Sequence, residues 1–485
     1  MNWSRASQGT LLKKIALWVV LLAIAVGLRV GMAIHFPNMF HPDEIFQSLE
    51  PAHRLAYGYG ASTWEWRAGV RSWVFPTVLA GVMQATGGMG PGSTGYLYGI
   101  IVFMSLGAMA VVWFGYAWAR RVSGPEAAIV AAGACATFFG LVFFSSKALT
   151  EVAATDLLLP GLYLGMYGEQ STEKKRLFFA GLLVGLAMSL RIHLAPAVAF
   201  AAICFCYPRW RQRIPAVAAG ISLPVLAFGL VDKITWSYPW QSYIRYFQVD
   251  IVEGRNVRDG GGAHPFYWYL GVMVLLLGPV LLFLWQGARR SPFLAAMIVI
   301  IVGSMSLFAH KEIRYIYPFV PLAITLASIG FVETAGKMTV RFKLQKSSMA
   351  VVAAGLVFFV LSSALMAATS LRWLKPEGAQ IAFNELSRDP ALCGVAYYGV
   401  TLWQTGGYSH LHRDVPMIPL SDAAGISEHA STFNALVAPA TTAGIPGGYA
   451  KNGCWNGVCL YQRPGGCAAP QPADTLDGYL HRTGK

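Results

Sequence analysis

The sequence has 485 residues, of which 55% are hydrophobic and 12% are charged, against about 25% charged residues in a typical soluble domain. This composition excludes a disordered protein, a small disulfide-stabilised domain and an ordinary cytosolic enzyme. We therefore predict an all-α polytopic membrane protein.

The excess of basic residues, 37 Lys and Arg against 23 Asp and Glu, does not indicate nucleic-acid binding, because it is concentrated in short clusters between apolar segments. Short loops that carry Lys and Arg face the cytoplasm. If the N-terminus lies in the cytoplasm, the membrane crossings predicted in the next paragraph place every basic cluster on the cytoplasmic side. The clusters are residues 13–14, 120–121, 174–176, 209–213, 289–290 and 337–346.

A membrane-spanning helix needs about 20 apolar residues, and the sequence predicts eleven such crossings. The first is predicted to be an uncleaved signal anchor, because no small-residue cleavage site follows it. Residues 72–87 are predicted to lie at the outer interface, since a further crossing there would place cluster 120–121 outside. The predicted crossings are residues 15–34, 97–118, 126–145, 152–168, 177–193, 194–207, 214–231, 266–285, 293–309, 315–335 and 349–370.

The composition changes after residue 370, where Pro, Gly and polar residues replace the apolar segments. Residues 371–485 are therefore predicted to form a small extracytoplasmic α/β domain. Four cysteines of this segment lie where disulfides can form, and their spacing fits no zinc pattern with companion histidines. We predict two disulfides, with three pairings open. The cysteines are Cys393, Cys454, Cys459 and Cys467.

Charged side chains gather in the loops that are predicted to face outward. The first loop, residues 35–96, opens with Phe-His-Pro-Asp-Glu at 40–44, where a carboxylate is placed to remove a proton from an incoming hydroxyl. Neighbouring residues on a helix point about 100° apart, so only one carboxylate can face a site, and we predict Asp43. A helix start with Pro42 in its first turn explains the same residues, and both interpretations can hold together.

A second group of charges, His310, Lys311 and Arg314, lies between two predicted crossings. Cations at the rim of a membrane can bind a phosphate, with Arg offering a fork and Lys a point charge. The alternative is that these side chains snorkel towards lipid headgroups. Within the bundle, Arg191 is predicted to neutralise a buried carboxylate such as Asp156.

The loop at 232–265 and the residues that follow it are rich in aromatic side chains. The glycine run 260–262 permits a turn that brings His264 towards a ligand, and Tyr267 follows shortly after. Aromatic rings here can stack on sugars or form the interfacial belt of a membrane protein. The belt is the simpler explanation for any single ring.

Three nucleotide- and metal-binding patterns are absent from the sequence: the phosphate-binding loop G-x-x-x-x-G-K-[ST], a strand-borne G-x-G-x-x-G and the metalloprotease helix H-E-x-x-H. A group that is transferred at the outer face must then arrive on a carrier other than a nucleotide. A lipid phosphate is such a carrier.

Four segments of the sequence form a recognisable set. They are residues 40–44, the Tyr-Gly-x-Gly to Arg-Ser stretch at 57–72, Gly-Ala-His-Pro at 262–265, and His-Lys-Glu-x-Arg with Tyr-Pro at 310–318. Together they resemble glycosyltransferase family 22, the dolichyl-phosphate-mannose-dependent mannosyltransferases of GPI-anchor and N-glycan assembly. The resemblance covers residues 35–320 and implies a GT-C fold, with a transmembrane catalytic domain at 1–370 whose active site faces the lumen or periplasm.

The resemblance also implies roles for residues in these segments. Asp43 would deprotonate an acceptor hydroxyl, with support from Glu44, and mannose would move with inversion from a polyprenyl phosphate to a lipid-linked glycan or glycolipid. No cofactor and no metal are implied, because basic side chains neutralise a single phosphate. Predicted contacts with the donor phosphate or substrate are His41, Arg71, His264, His310, Lys311 and Arg314, and with the sugar or acceptor Trp64, Glu65 and Tyr267.

Two other functions fit the same sequence. A transporter or flippase of lipid-linked glycans would also need many crossings, although neither an internal duplication nor a charge cluster at the bilayer midplane is evident. Transfer to protein hydroxyls, as in protein O-mannosylation, keeps the fold and changes the acceptor. Short loops and Ala- and Gly-rich spans predict a bacterial inner membrane, with the active site facing the periplasm.

Overall fold

A computed structural model describes residues 3–87, 95–168, 173–255, 263–343 and 347–484. The described chain is mostly helical, and its single sheet follows residue 371, as predicted. The α-helices are Trp3–His35, Glu50–Tyr57, Trp64–Arg67, Val74–Thr86, Gly95–Gly107, Met109–Thr137, Phe139–Phe144, Thr150–Met166, Glu173–Leu190, Ala195–Cys206, Trp210–Thr235, Gln241–Tyr246, Trp268–Leu277, Leu284–Arg290, Pro292–Ser306, Phe319–Arg341, Ser348–Thr369, Gly378–Leu386, Leu402–Thr405, Tyr408–Leu411, Ala424–Glu428 and Leu476–Thr483.

Several helices are interrupted where the sequence breaks the regular hydrogen-bond ladder. Met109–Thr137 kinks at Gly124, whose φ is 88° and which precedes a proline. Within the described ranges, two segments are π-helical, Glu44–Leu49 and Phe247–Val252. Five short segments of the same ranges are 3-10 helices: Ile192–Leu194, Gly278–Phe283, Ile313–Ile316, Leu371–Leu374 and Pro472–Asp474.

Six helical stretches of the described chain are long and apolar enough to cross a membrane, and three shorter apolar helices accompany them. The predicted multi-pass membrane character agrees with this, whereas the count of eleven crossings stays a prediction. Val74–Thr86 is one of the shorter helices and matches the segment predicted for the interface. The six stretches are Trp18–His35, Gly95–Thr137, Trp210–Thr235, Trp268–Arg290, Phe319–Arg341 and Ser348–Thr369.

The chain forms two compact units. The membrane unit consists of Met1–Gly31, Met104–Leu230 and Val249–Ser370. Small residues allow its helices to approach closely. A Cβ on Gly287 would lie 1.9 Å from the carbonyl oxygen of Leu326, so only glycine fits at this crossing.

The second unit consists of Met32–Phe103, Val231–Gln248 and Leu371–Lys485. Its five strands are β1 Val395–Tyr398, β2 Met417–Leu420, β3 Ala435–Pro439, β4 Ala450–Trp455 and β5 Val458–Gln462. They form a sheet with the order β2-β1-β3-β5-β4, in which β1 is parallel to β2 and β3, while β5 is antiparallel to β3 and β4.

Apolar side chains alternate between the two faces of this sheet and form two cores. Val395 and Tyr397 join the core that includes Phe383 of the helix Gly378–Leu386, and Ala396 joins the opposite core. The four cysteines form two disulfides, Cys393–Cys467 and Cys454–Cys459.

Candidate functional site

The Asp43 motif lies at the start of a helix that follows the first long helix. The N–H of Glu44 donates to the carbonyl oxygen of His41 at 3.1 Å, and the chain then enters the π-helix Glu44–Leu49. Single π-helical turns are rare and frequently occur at functional sites. The Asp43 side chain is 19% exposed, whereas Glu44 is 5% exposed. Asp43 is therefore the more accessible of the two carboxylates.

The ring of His41 is the neighbour of the Asp43 carboxylate. Its Nδ1 lies 3.4 Å from Oδ1 of Asp43 and accepts the backbone N–H of Asp43 at 3.3 Å. Two of the predicted site residues are thus in contact. An ionisable ring beside a carboxylate suits proton transfer to and from that carboxylate.

Glu65 and Arg71, also predicted site residues, form an ion pair in the same unit. Nε and Nη2 of Arg71 lie 3.1 and 2.5 Å from Oε1 of Glu65, and Nε2 of Gln47 donates to the same oxygen at 3.1 Å. The Arg71 guanidinium lies 5.6 Å from the centre of the Tyr246 ring. Trp64, half-buried, begins the short helix that carries Glu65. This network ties Arg71 to the Asp43 helix through Gln47.

In the membrane unit, Glu151 binds two arginines. Its Oε1 lies 2.8 Å from Nη2 of Arg191 and 2.6 Å from Nη1 of Arg314. The prediction that Arg191 neutralises a buried carboxylate is therefore confirmed, but this carboxylate is Glu151 and not the example Asp156. Asp156 interacts electrostatically with Arg29 instead. Residues five positions apart on one helix point about 140° apart, so Glu151 and Asp156 face different neighbours.

Glu312 organises the predicted cluster at 310–314. Its carboxylate lies 2.5 Å from Nε of Arg314 and 2.8 Å from Nε2 of His310, and it accepts the Tyr315 hydroxyl at 3.2 Å. The Tyr315 ring lies beneath two guanidinium groups, 5.0 Å from Arg314 and 5.5 Å from Arg191. Arg314 is only 3% exposed, so its direction is fixed by its partners.

Lys311 joins this cluster to the predicted His264 motif. Its Nζ donates to the carbonyl oxygen of His264 at 3.0 Å and to that of Phe308. The His264 N–H donates to the carbonyl oxygen of Ala309 at 3.0 Å, and its ring stacks on Trp268 at 4.6 Å. Tyr267 is 58% exposed. The glycine run at 260–262 lies outside the described residues.

The charges of this group leave one net positive charge. By formal charge, with His310 counted as neutral, Arg191, Lys311 and Arg314 carry three positive charges, and Glu151 and Glu312 carry two negative ones. Arg314 also lines a small apolar cavity together with Phe144, Leu276 and Tyr317, among others. The net positive charge of this group, and not the cavity, suits an anion such as a phosphate.

The structure also reveals a polar cluster that the sequence did not mark, between the helix Glu50–Tyr57 and the turn 406–412. Glu50 is fully buried and accepts the N–H groups of Ala61 at 2.7 Å and Ser409 at 2.5 Å. Nε2 of His53 lies 2.9 Å from Nδ1 of His412. Burial lowers the pKa of His53 to about 3, so this ring is neutral near pH 7.

We expect Glu50 to make stability depend on pH. Burial raises its pKa from 4.5 to about 7, although the two N–H donors oppose the shift. The facing hydroxyls of Tyr59 and Tyr408 have raised pKa values and stay neutral in this range. Between pH 4.5 and 7 the folded protein holds a proton that the unfolded chain has lost. Stability therefore falls as pH rises through this window, by about 3 kcal/mol in full.

The measurement is thermal unfolding of the detergent-solubilised protein between pH 4.5 and 8. Glu50→Gln cannot titrate, so the melting temperature of this variant is expected to vary less with pH over that window. Equal pH dependence in the variant and the wild type would contradict the role given to Glu50.

Comparison with known proteins identifies relatives over most of the chain. The chain is 28% identical over 411 residues to "GPI mannosyltransferase 3" of Yarrowia lipolytica, covering 82% of this chain and 76% of the relative. It is 26% identical to "GPI alpha-1,2-mannosyltransferase 3" of Mus musculus, covering 67% and 61% of the two chains. Both organisms are eukaryotes, so these relatives do not support the predicted bacterial inner membrane.

Among solved structures, the fold is similar to ArnT from Cupriavidus metallidurans. The crystal structure of ArnT bound to undecaprenyl phosphate matches with a TM-score of 0.58 and 13% identity, covering 94% of this chain and 99% of that chain. The apo structure matches with a TM-score of 0.59. The predicted GT-C membrane fold is confirmed.

The model of the Alg9-like mannosyltransferase family matches residues 18–412, which is most of the chain. The match extends beyond the 35–320 stretch of the predicted resemblance and reaches the turn that carries His412. The predicted enzyme class, a mannosyl-transferring glycosyltransferase, is confirmed by this match and by the relatives. The chain belongs to the Alg9-like mannosyltransferase family.

Proposed function

We propose that this membrane mannosyltransferase takes mannose from a polyprenyl-phosphate carrier and transfers it to a glycolipid or lipid-linked glycan at the extracytoplasmic face. The observation that carries the proposal is the accessible Asp43 carboxylate at the start of its helix, beside His41. A carboxylate at a helix start, with an ionisable ring as its neighbour, is equipped to act as a general base.

In the proposed reaction, Asp43 removes the proton of the acceptor hydroxyl while that oxygen bonds to the anomeric carbon of mannose. The bond between the anomeric carbon and the phosphate oxygen breaks, and its electron pair leaves with the polyprenyl phosphate. Attack opposite to the leaving group converts a β-linked donor into an α-mannoside. The proton on Asp43 then passes to His41 or water.

The donor phosphate is assigned to the group around Arg314. A polyprenyl-phosphate sugar is a phosphodiester with one negative charge, which complements the single net positive charge of this group. Departure of the sugar leaves a phosphate monoester with additional negative charge, so cations held in place by Glu151 and Glu312 stabilise the product side of the transition state. The undecaprenyl phosphate bound to ArnT, which has the same fold, supports a carrier of this chemistry.

The acceptor is assigned to the glycolipid class because the relatives are named GPI mannosyltransferases. Glu65, Arg71 and Trp64 of the second unit offer the charged and aromatic groups that sugar hydroxyls and sugar faces require. In the membrane unit, Tyr267 and His264 offer further aromatic rings for contact with a sugar face.

Radiolabelled transfer distinguishes this function from its alternatives. Membranes that contain the protein are incubated with polyprenyl-phosphate [3H]mannose and extracted lipids, and the label is then followed into lipid, protein and vesicle fractions. We expect a labelled glycolipid whose mannose is released by an α-mannosidase. Label in protein would favour O-mannosylation, and uptake into vesicles without a covalent product would favour transport; either result would overturn the proposed acceptor or reaction.

A further inference from the structure

We propose that the C-terminal segment 371–485 positions Asp43, because it contacts both ends of the segment that carries the motif. This inference rests on the proposed role of Asp43 as the base and adds positioning residues that do not themselves touch the substrate. The two contacts are an upstream one at residues 373–378 and a downstream one at the turn 406–412.

The upstream contact holds the chain just before the motif. The side-chain amide of Asn38 donates to the carbonyl oxygen of Trp373, and the N–H of Glu377 donates to the carbonyl oxygen of Pro37 at 2.8 Å. The Trp373 ring, only 5% exposed as a residue, meets the ring of Phe40 edge-on at 5.3 Å. Pro37, Asn38 and Phe40 are thus held three to six residues before Asp43.

The segment that makes this contact is itself fixed by the β4–β5 hairpin. The side-chain amide of Asn456 donates to the carbonyl oxygen of Pro376 at 2.5 Å. A Cβ on Gly378 would lie 2.0 Å from the carbonyl oxygen of Trp455, so the two backbones are packed directly together. The position of residues 373–378 is therefore set by the folded sheet and not by a flexible linker.

The downstream contact holds the end of the motif helix. Glu50 accepts the Ser409 N–H, and His53 contacts His412; Glu50 and His53 lie six and nine positions after Glu44, where the π-helix starts. Phe46, between Asp43 and Glu50, packs against the core that contains Phe383 and Leu411. Both ends of the segment 37–53, and its middle, therefore rest on the C-terminal domain.

Fixing both ends of a short segment restricts where the intervening carboxylate can lie. A displacement of about 1 Å at a reacting group reduces the rate by about 100-fold. Contacts that do not touch the substrate can therefore govern the catalytic rate without changing the binding of the donor.

The test compares Trp373→Ala with Trp373→Phe, which keeps an aromatic ring for Phe40. We expect Trp373→Ala to lower kcat by about 10- to 100-fold with little change in the donor KM, and Trp373→Phe to recover most of the loss. Tyr449→Ala is the matched control, because Tyr449 packs on Phe433 and Arg463 within the same domain and away from segment 37–53. It is expected to lower the melting temperature while kcat is kept.

If Trp373→Ala does not fold, Asn38→Ala tests the positioning role instead. This variant removes the hydrogen bond from the Asn38 side chain to the Trp373 carbonyl oxygen and leaves Trp373 in place. Unchanged kcat in these variants, or a loss no greater than in Tyr449→Ala, would overturn the inference. Asp43→Asn in the same assay separates the two claims. An active Asp43→Asn would refute the proposed base, whereas an inactive Asp43→Asn beside fully active Trp373→Ala and Asn38→Ala variants would refute only the positioning role.

Discussion

Replacing Asp43 by Asn lowers the rate of mannose transfer at saturating substrates by about 10²- to 10⁴-fold, because the amide has the shape of the carboxylate but cannot accept the proton of the acceptor hydroxyl. The donor KM is expected to change little, since the donor phosphate is assigned to other residues. The rate is measured with purified protein, radiolabelled polyprenyl-phosphate mannose and a glycolipid acceptor.

Two further variants give this experiment its controls. Asp477→Asn makes the same chemical change at an exposed position in the first turn of the helix Leu476–Thr483 and should retain full activity. Glu44→Gln alters the neighbouring, buried carboxylate and should have the smaller effect. A larger loss of transfer rate in Glu44→Gln than in Asp43→Asn would mean that Glu44, and not Asp43, is the base.

Replacing Arg314 by Lys is expected to weaken donor binding strongly while one positive charge is kept. Arg314 bonds Glu151 and Glu312 through different nitrogens of one planar fork, and a lysine ammonium cannot reproduce that geometry. The loss of one charge-assisted hydrogen bond is worth about 1.5–3 kcal/mol, which is roughly a 10- to 150-fold rise in the Kd for polyprenyl phosphate.

Arg290→Lys is the matched control for this change. Arg290 also forms an ion pair, with Glu333 at 2.7 Å, but its side chain is 56% exposed. Exposed pairs contribute little, so Arg290→Lys should bind polyprenyl phosphate as the wild type does. Equal Kd values for Arg314→Lys and the wild type would remove Arg314 from the donor site.

Hydropathy predicted the long helices well because each helix that crosses a lipid bilayer needs about 20 consecutive apolar residues. The predicted segments 152–168 and 349–370 correspond to Thr150–Met166 and Ser348–Thr369. The positions at which these helices are interrupted were harder to predict from hydropathy. The segment 266–285 becomes an α-helix followed by a 3-10 turn at Gly278, whose φ of 49° ends the regular ladder.

The candidate site was predicted in part, where its residues are close in sequence. His41 and Asp43, and likewise Glu312 and Arg314, are two residues apart and do interact. A buried carboxylate was predicted as the partner of Arg191, but the sequence could not select Glu151 over Asp156, because both are acids of the same helix and only the orientation of that helix decides between them.

The contacts of the C-terminal domain could not be predicted from local patterns. Glu50 and Ser409 are 359 residues apart, and no periodicity connects positions so distant. The His-Leu-His pattern at 410–412 is a local signal, but it indicates neither His53 as the partner of His412 nor Gln380 as the partner of His410. Such pairs follow from tertiary packing.

Chemical labelling at position 43 tests the location of the base most directly. Asp43→Cys is introduced into a variant in which the three free cysteines, Cys135, Cys204 and Cys206, are replaced by Ala, and sealed vesicles of known orientation receive a membrane-impermeant thiol reagent. We expect labelling only when the extracytoplasmic face is exposed, and slower labelling once polyprenyl-phosphate mannose is bound. Labelling only from the cytoplasmic face would contradict the proposed location of the base.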